Sequence, residues 1–188
     1  MKPAVSKNDV EELYRLHAGE LHGFLYRRAG QVGADLLGQV FVVALQRLGD
    51  LPEPHLRRAW LFSTARRLLL AAERDARRRE RAENESARLQ EPSAAIPDVD
   101  HSDRDVSVHA ALASLRNQDR ELIRLTEWER LDIAEAAMVL GLRPGTARVR
   151  LHRARRALAA HPALQGISEA PPSPAVGSGK APERRGTT

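Results

Sequence analysis

Apolar residues along this chain recur at every third or fourth position, the spacing of a helix buried on one side, and no stretch alternates in the manner of a strand. Val10, Leu13, Tyr14, His17, Leu21, Phe24 and Leu25 predict a first amphipathic helix running to Arg28, started by a capping box of Asn8 and Glu11. Gly30 and Gly33 mark a turn, after which Leu36, Leu37, Val40, Phe41, Ala44, Leu45 and Leu48 give a second helix with a wide apolar face. Residues 49–54 hold one glycine and two prolines, so they form a loop rather than a continuing helix. The third helix carries Trp60, Leu61, Ala65, Leu68, Leu69 and Ala72 on one face, with Arg57, Arg58, Arg66, Arg67 and Arg74 mostly off it. Phe62 falls at the edge of that stripe.

The periodicity then fades. Residues 83–105 contain seven acidic residues against two arginines, with two prolines, and read as a flexible linker. Their charge lies between two basic regions and could screen one from the other. Beyond them Val106, Ala110, Leu112, Ala113 and Leu115 begin a second periodic region, and Asn117 is placed to cap a helix bearing Leu122, Ile123, Leu125 and Trp128. After Leu164 the chain is rich in Pro, Ser, Gly and Ala and is expected to be a disordered tail.

The densest local signals sit in residues 132–158. Asp132 with Glu135 makes a capping box, Ile133, Ala136, Ala137 and Leu140 share a face, and Gly141 stands where a left-handed residue ends a helix. Pro144 suits the first position of the next helix, where no backbone N–H is needed. Two short helices joined by such a turn make a helix-turn-helix. In the second of them Ala147, Leu151, Ala154 and Leu158 form the buried stripe, which turns Arg148, Val149, His152, Arg153 and Arg156 outward. Guanidinium forks can bind guanine edges or phosphates in the major groove, and a valine can meet a thymine methyl. A merely solvated arginine-rich face would show the same composition; the turn beside it is what favours DNA.

Composition narrows the class further. With 188 residues and 42% apolar content, the chain can build one ordinary domain or two small ones of about 60 to 80 residues. The expected fold is all-α: an amino-terminal helical domain (1–81), a flexible acidic linker (82–105), a carboxy-terminal helix-turn-helix domain (106–164) and the tail (165–188). The net charge of +5 points to nucleic acid. Absence of cysteine excludes disulfides, thiolate metal sites and thiol redox sensing, and suits a reducing cytoplasm. His17 and His22 lie five apart, on different helix faces, so no metal site is expected there. Neither a signal-type segment nor an apolar run of bilayer length occurs, so a cytoplasmic protein without membrane insertion is expected. There is no Gly-rich phosphate loop, metal-ligand cluster or recognisable nucleophile, hence no expected catalysis and no cofactor.

Several motifs carry a resemblance. Glu127-Trp128-Glu129, Ala134-Glu135-Ala136-Ala137, Leu140-Gly141, Pro144-Gly145-Thr146 and Arg150-Leu151-His152-Arg153-Ala154-Arg155-Arg156 are similar to the carboxy-terminal promoter-reading domain of extracytoplasmic-function (ECF) sigma factors of bacterial RNA polymerase. The resemblance implies that Thr146 and Arg150 join Arg148, Val149, His152, Arg153 and Arg156 in reading a minus-35 element. Arg58-Ala59-Trp60-Leu61-Phe62 with Ala65-Arg66 resembles the helix that in this family melts and reads the minus-10 element, behind a loop that receives a flipped base. This implies DNA roles for Arg57, Arg58, Phe62, Arg66, Arg67 and Arg74. Asp35-Leu36 and Val40-Phe41 resemble the segment that binds the polymerase clamp helices, implying that Asp35, Leu36, Gln39, Val40 and Phe41 contact polymerase. Gly38 and Gln39 depart from the family's usual polar and acidic pair at that place.

The partners so implied are core RNA polymerase, promoter DNA and an anti-sigma factor, engaged by a monomer. Two other readings stay open: a stand-alone helix-turn-helix regulator whose first 80 or so residues dimerise or sense, and a helical adaptor whose basic faces bind an acidic protein.

Overall fold

The computed structural model describes residues 6–86 and 103–168, and every regular element among them is helical. In order these are α1 (Lys7–Ala34), α2 (Leu37–Gln46), a 3-10 turn (Leu48–Asp50), α3 (Pro54–Ser86), α4 (Asp103–Ala113), α5 (Asn117–Glu127), α6 (Ile133–Leu140), α7 (Pro144–Ala159) and α8 (Pro162–Ser168). The ends of the expected linker are thus helical, since α3 runs past residue 81 and α4 starts at Asp103. Residues 87–102 of that linker and 169–188 of the expected tail lie outside the described residues, whereas the tail's first positions belong to α8.

Local chemistry explains where the helices start and bend. Ser6, with extended backbone, precedes α1 and its N–H donates to the Asp9 carboxylate at 2.8 Å, so the capping box is Ser6–Asp9 and the expected Asn8 lies inside the helix. The turn expected at Gly30 and Gly33 is a kink within α1: Gly30 adopts φ 56°, a left-handed conformation that suits glycine, and one more helical turn follows. Gly33 is required for a different reason. A Cβ there would sit 2.3 Å from the Leu25 carbonyl oxygen, so only a bare Cα lets the last turn fold back on the helix.

Among α1–α3 the buried side chains are chiefly Val10, Leu13, Leu21, Phe24 and Leu25, then Val40, Phe41 and Ala44, then Leu61, Phe62, Ala65 and Leu69. Phe24 and Phe62 meet edge to face with centroids 5.1 Å apart, a geometry the aromatic quadrupole favours. Leu51, in the proline-rich loop, is fully buried and pins that loop to the core. Each such large side chain contributes roughly 1.5–3 kcal/mol on complete burial.

The carboxy-terminal helices differ from expectation at three points. On α4 the buried pair is Ala111 and Leu112, while Val106, Ala110 and Ala113 are exposed; α8 packs against α4 and selects a face turned by about one residue. Asn117 is the first residue of α5 and makes no cap; Arg116 holds the N-cap position without a side-chain bond. Trp128 terminates α5 and is 45% exposed, because the chain reverses directly after it through Arg130 at φ 53°. Arg120 joins α4 to α5 by donating to the carbonyls of Leu112, Ala113 and Leu115 at 2.8 to 3.1 Å, filling acceptors that a helix end leaves open.

In α6 the expected signals are realised in full. Asp132 Oδ1 accepts from the N–H of Ala134 and Glu135, the Glu135 carboxylate accepts from the Asp132 N–H at 2.9 Å, and Gly141 takes φ 65°. The Leu142 N–H then donates to the Ala137 carbonyl at 2.8 Å, closing the helix end. α5, α6 and α7 pack on one another, and α6 also packs on α3, so the two groups of helices share one continuous core.

Candidate nucleic-acid and polymerase interfaces

The outer face of α7 follows from its inner one. Ala147, Leu151 and Ala154 are buried against α5 and α6, so Val149, His152, Arg153 and Arg156, at offsets of three, four and seven, form one exposed stripe. Thr146 and Arg148 are exposed beside it. Arg150 departs from the expected set: its guanidinium turns back, donating to the Gln118 side chain and lying 3.9 Å from the Asp119 carboxylate, so it acts as a strut to α5. Arg155, on the flank, is held by Glu127 at 2.6 Å.

The expected downstream readers are less uniform. Phe62 cannot contact a base, because it is fully buried against Phe24 as part of the core. Arg57 is half-buried and donates to Asp9 at 3.0 Å and to the Pro52 carbonyl at 3.3 Å, tying α3 to the start of α1 and to the loop. Those bonds have an electrostatic signature. The Asp9 carboxylate, hydrogen-bonded first by the Ser6 backbone and side chain and then by Arg57, has its pKa lowered to about 2. Arg66 is half-buried, Arg67 and Arg74 are exposed, and Arg67 donates to Thr64 Oγ1 at 3.0 Å.

Arg58 sits between the helix groups. It donates to Glu20 at 2.7 Å, to Glu135 at 3.0 Å and to the Glu129 carbonyl at 2.8 Å. Burial works against its charge, but the hydrogen bond to Glu20 and the field of Glu135 prevail and raise its pKa. Nearby, Arg27 and Arg28 both donate to Glu129, Arg28 at 2.9 Å, and Arg28 also reaches Glu121 at 2.8 Å while lying over the Phe24 ring. These bonds join residues about a hundred positions apart, and no pattern in the sequence announced them.

The expected polymerase-contacting residues divide in the same way. Asp35 and Gln39 are exposed and Leu36 is half-buried, but Val40 and Phe41 face inward and complete the core. The exposed apolar residues of α2 are Val42 and Leu45, which continue the line from Asp35 through Gln39 at helical spacing. Six consecutive apolar residues, from Val40 to Leu45, were the available signal: a helix apolar on all sides and covered on one must show the rest. No group of histidine and carboxylate side chains among the described residues is arranged to hold a metal ion. Nor is any helix among them long and apolar enough to cross a membrane.

Comparison with known proteins bears directly on this arrangement. Residues 105–158 match the sigma-70 region 4 family. The chain is 33% identical over 156 residues to the RNA polymerase sigma factor CarQ of Myxococcus xanthus, spanning 79% of this chain and 86% of that one. It is 31% identical over 155 residues to the ECF RNA polymerase sigma factor SigL of Mycobacterium tuberculosis, again spanning 79% and 86%. Its fold is that of the sigma factor RpoE of Bartonella quintana, solved in complex with the anti-sigma factor NepR: TM-score 0.55 at 24% identity, covering 80% of this chain and 94% of that one.

Proposed function

The chain belongs to the ECF sigma factors of bacterial RNA polymerase, and on that premise we propose how its surfaces divide the work of directing the polymerase to promoters. The exposed stripe of Val149, His152, Arg153 and Arg156 on α7, with Thr146 and Arg148 beside it, reads the upstream, minus-35-like element. The basic side of α3, with Arg58, Arg66, Arg67 and Arg74, engages the minus-10-like element. Asp35, at the junction of α1 and α2, and Gln39, Val42 and Leu45 on α2 bind core polymerase, with Leu36 at their edge. Residues 1–81 and 106–164, docked through one core in the free protein, act as separate domains once they part on the promoter, the protein works as a cytoplasmic monomer, and the chemistry of RNA synthesis belongs to the polymerase. An anti-sigma factor is its regulatory partner, seated on the apolar positions of α2 when polymerase is absent.

The observation that carries this reading is the α7 stripe, because it projects a cationic helix face from a helix-turn-helix whose caps fix it in place. The test is reconstitution. Purified protein and core polymerase should co-elute in gel filtration at micromolar concentration and initiate at selected sites from a random promoter library. Val42→Glu should abolish co-elution while leaving the helical content unchanged. Failure to associate with core polymerase, together with dimerisation on a palindromic site, would replace this assignment with that of a free-standing regulator.

A further inference from the structure

A cleft of about 290 Å³ opens where α1, α3 and α5 meet, away from the α7 stripe and from α2 but sharing Arg66 with the basic side of α3 proposed above to engage DNA. Its lining has more positive charge than its carboxylates can balance: Arg28, Arg66, Arg120 and Arg124 against Glu73 and Glu121. Glu121 is taken by Arg28 at 2.8 Å, and Glu73 lies 3.7 Å from Arg77, beyond the lining. Arg120 spends its donors on three carbonyls, which orient it without neutralising it. The guanidinium groups of Arg66 and Arg124 have no hydrogen bond or ion pair with any of the described residues, although both residues are half-buried. Burial lowers the pKa of Arg124, and the nearby Arg28 and Arg120 cations add to this effect while Glu121 opposes it. Unpaired guanidiniums gathered in a cleft are unfavourable unless an anion joins them.

Size and lining specify the anion. A helix about 10 Å across cannot enter a space of this volume, whereas about 300 Å³ is the lower end of the range for small-molecule sites. Guanidinium forks match phosphate oxygens two at a time. Leu69 and Leu70 add an apolar wall beside the cations, and Leu70 is partly exposed. We propose that this cleft binds a small organic phosphate of nucleoside diphosphate size, its phosphates between Arg66 and Arg124 and its apolar part along Leu69 and Leu70. Arg66 belongs to α3 and Arg124 to α5, so the ligand bridges the two helix groups. By mass action it stabilises their docked arrangement.

The experiment is calorimetric titration of the full-length protein with adenosine diphosphate, inorganic pyrophosphate and adenosine at about 0.15 M salt, where exposed charges are screened within about 8 Å. Adenosine diphosphate should bind saturably at one site per chain, pyrophosphate several-fold more weakly, and adenosine not measurably. Arg124→Gln and Arg66→Gln should each weaken binding by about tenfold or more, the loss of a bidentate phosphate contact. Leu70→Asp, at the partly exposed rim, should abolish binding with the melting temperature unchanged, and Arg153→Ala should leave affinity as it was. The inference is overturned if sulfate at matched ionic strength binds as tightly as adenosine diphosphate. It is equally overturned if binding survives both arginine substitutions, or is lost with Arg153→Ala and so resides on α7. Equal or tighter binding of a hexaglutamate peptide would assign the cleft to an acidic protein segment and also sink it.

Discussion

Glu129→Gln removes one charge from the contact between the helix groups and changes almost nothing else. The Glu129 side chain is 2% exposed, and its carboxylate accepts from Arg27 and, at 2.9 Å, from Arg28. Arg27 is 45% exposed, so water takes over much of that pair; Arg28, at 11%, has no such replacement and keeps Glu121 and, at 3.3 Å, the Phe24 carbonyl. An amide in place of the carboxylate has one acceptor oxygen and turns its N–H groups toward a guanidinium, donor against donor. Hydrogen bonds to charged groups contribute about 1.5–3 kcal/mol, so docking should weaken by a factor of about 10 to 150. Because the partners belong to different helix groups, the loss falls on docking rather than on the folding of either group. The chain contains no cysteine, so Gln46→Cys and Ala159→Cys, both at exposed positions, accept a pair of dyes for energy transfer. Transfer efficiency should drop in Glu129→Gln and hold in Glu127→Gln, whose exposed carboxylate forms its ion pair with Arg155 of the same helix group. Equal efficiencies in the two variants would refute the argument that the buried carboxylate holds the groups together.

Other predictions concern the elements singly. Gly33→Ala should destabilise severely, because the Leu25 carbonyl occupies the space, whereas Gly38→Ala meets nothing within 4 Å and should stabilise by roughly 0.5–1 kcal/mol in thermal melts. Arg153→Ala should cost about 1–3 kcal/mol in binding upstream-element DNA with the melting temperature unchanged. Leu151→Ala should instead lose about 2–5 kcal/mol of stability; a reversal of these two effects would mean that α7 presents its other face. Asp9, with its pKa lowered to about 2 from 3.8, binds its proton more weakly folded than unfolded. Its stabilising contribution is therefore complete above about pH 4 and disappears as pH falls toward 2, so Asp9→Asn should lower the melting temperature at pH 7 and converge with the parent near pH 2.

The parts of the fold legible in the sequence are those governed by neighbours in the chain. Asp132, Glu135, Gly141 and Pro144 act within a few residues of themselves, and each sits where local chemistry puts it. Helix faces were legible where the covering helices lie on one side, as α5 and α6 do on α7. They were not where two walls compete: Phe62 lies at the margin of its stripe, and only the approach of Phe24 decides that it is buried. Val40 and Phe41 show the same error, since apolar residues similar to a docking segment were needed first by the core, leaving Val42 and Leu45 outside. On α4, a short alanine-rich helix, several faces are almost equally apolar, and α8 makes the choice. The bonds of Arg27, Arg28 and Arg58 to glutamates of the other group were beyond reach, because arginines and glutamates at surface spacing look alike whether or not they find partners.

Those bonds place the two proposed DNA-reading surfaces in different states. Glu135 Oε2 accepts from the Asp132 N–H at 2.9 Å and from Arg58 Nη1 at 3.0 Å, so one oxygen both caps α6 and holds α3. Separation of the helix groups removes only the second bond; the cap is local, and the helix-turn-helix keeps its geometry. Arg58, by contrast, leaves Glu135 and the Glu129 carbonyl and keeps Glu20, a carboxylate 42% exposed that water can replace readily. Val149, His152, Arg153 and Arg156 are exposed in the docked arrangement already. Docking therefore withholds Arg58 from phosphates while leaving the α7 stripe accessible. A protein in this state can meet an upstream element before a downstream one, and whatever pulls α3 from α6 releases the second surface without rebuilding the first.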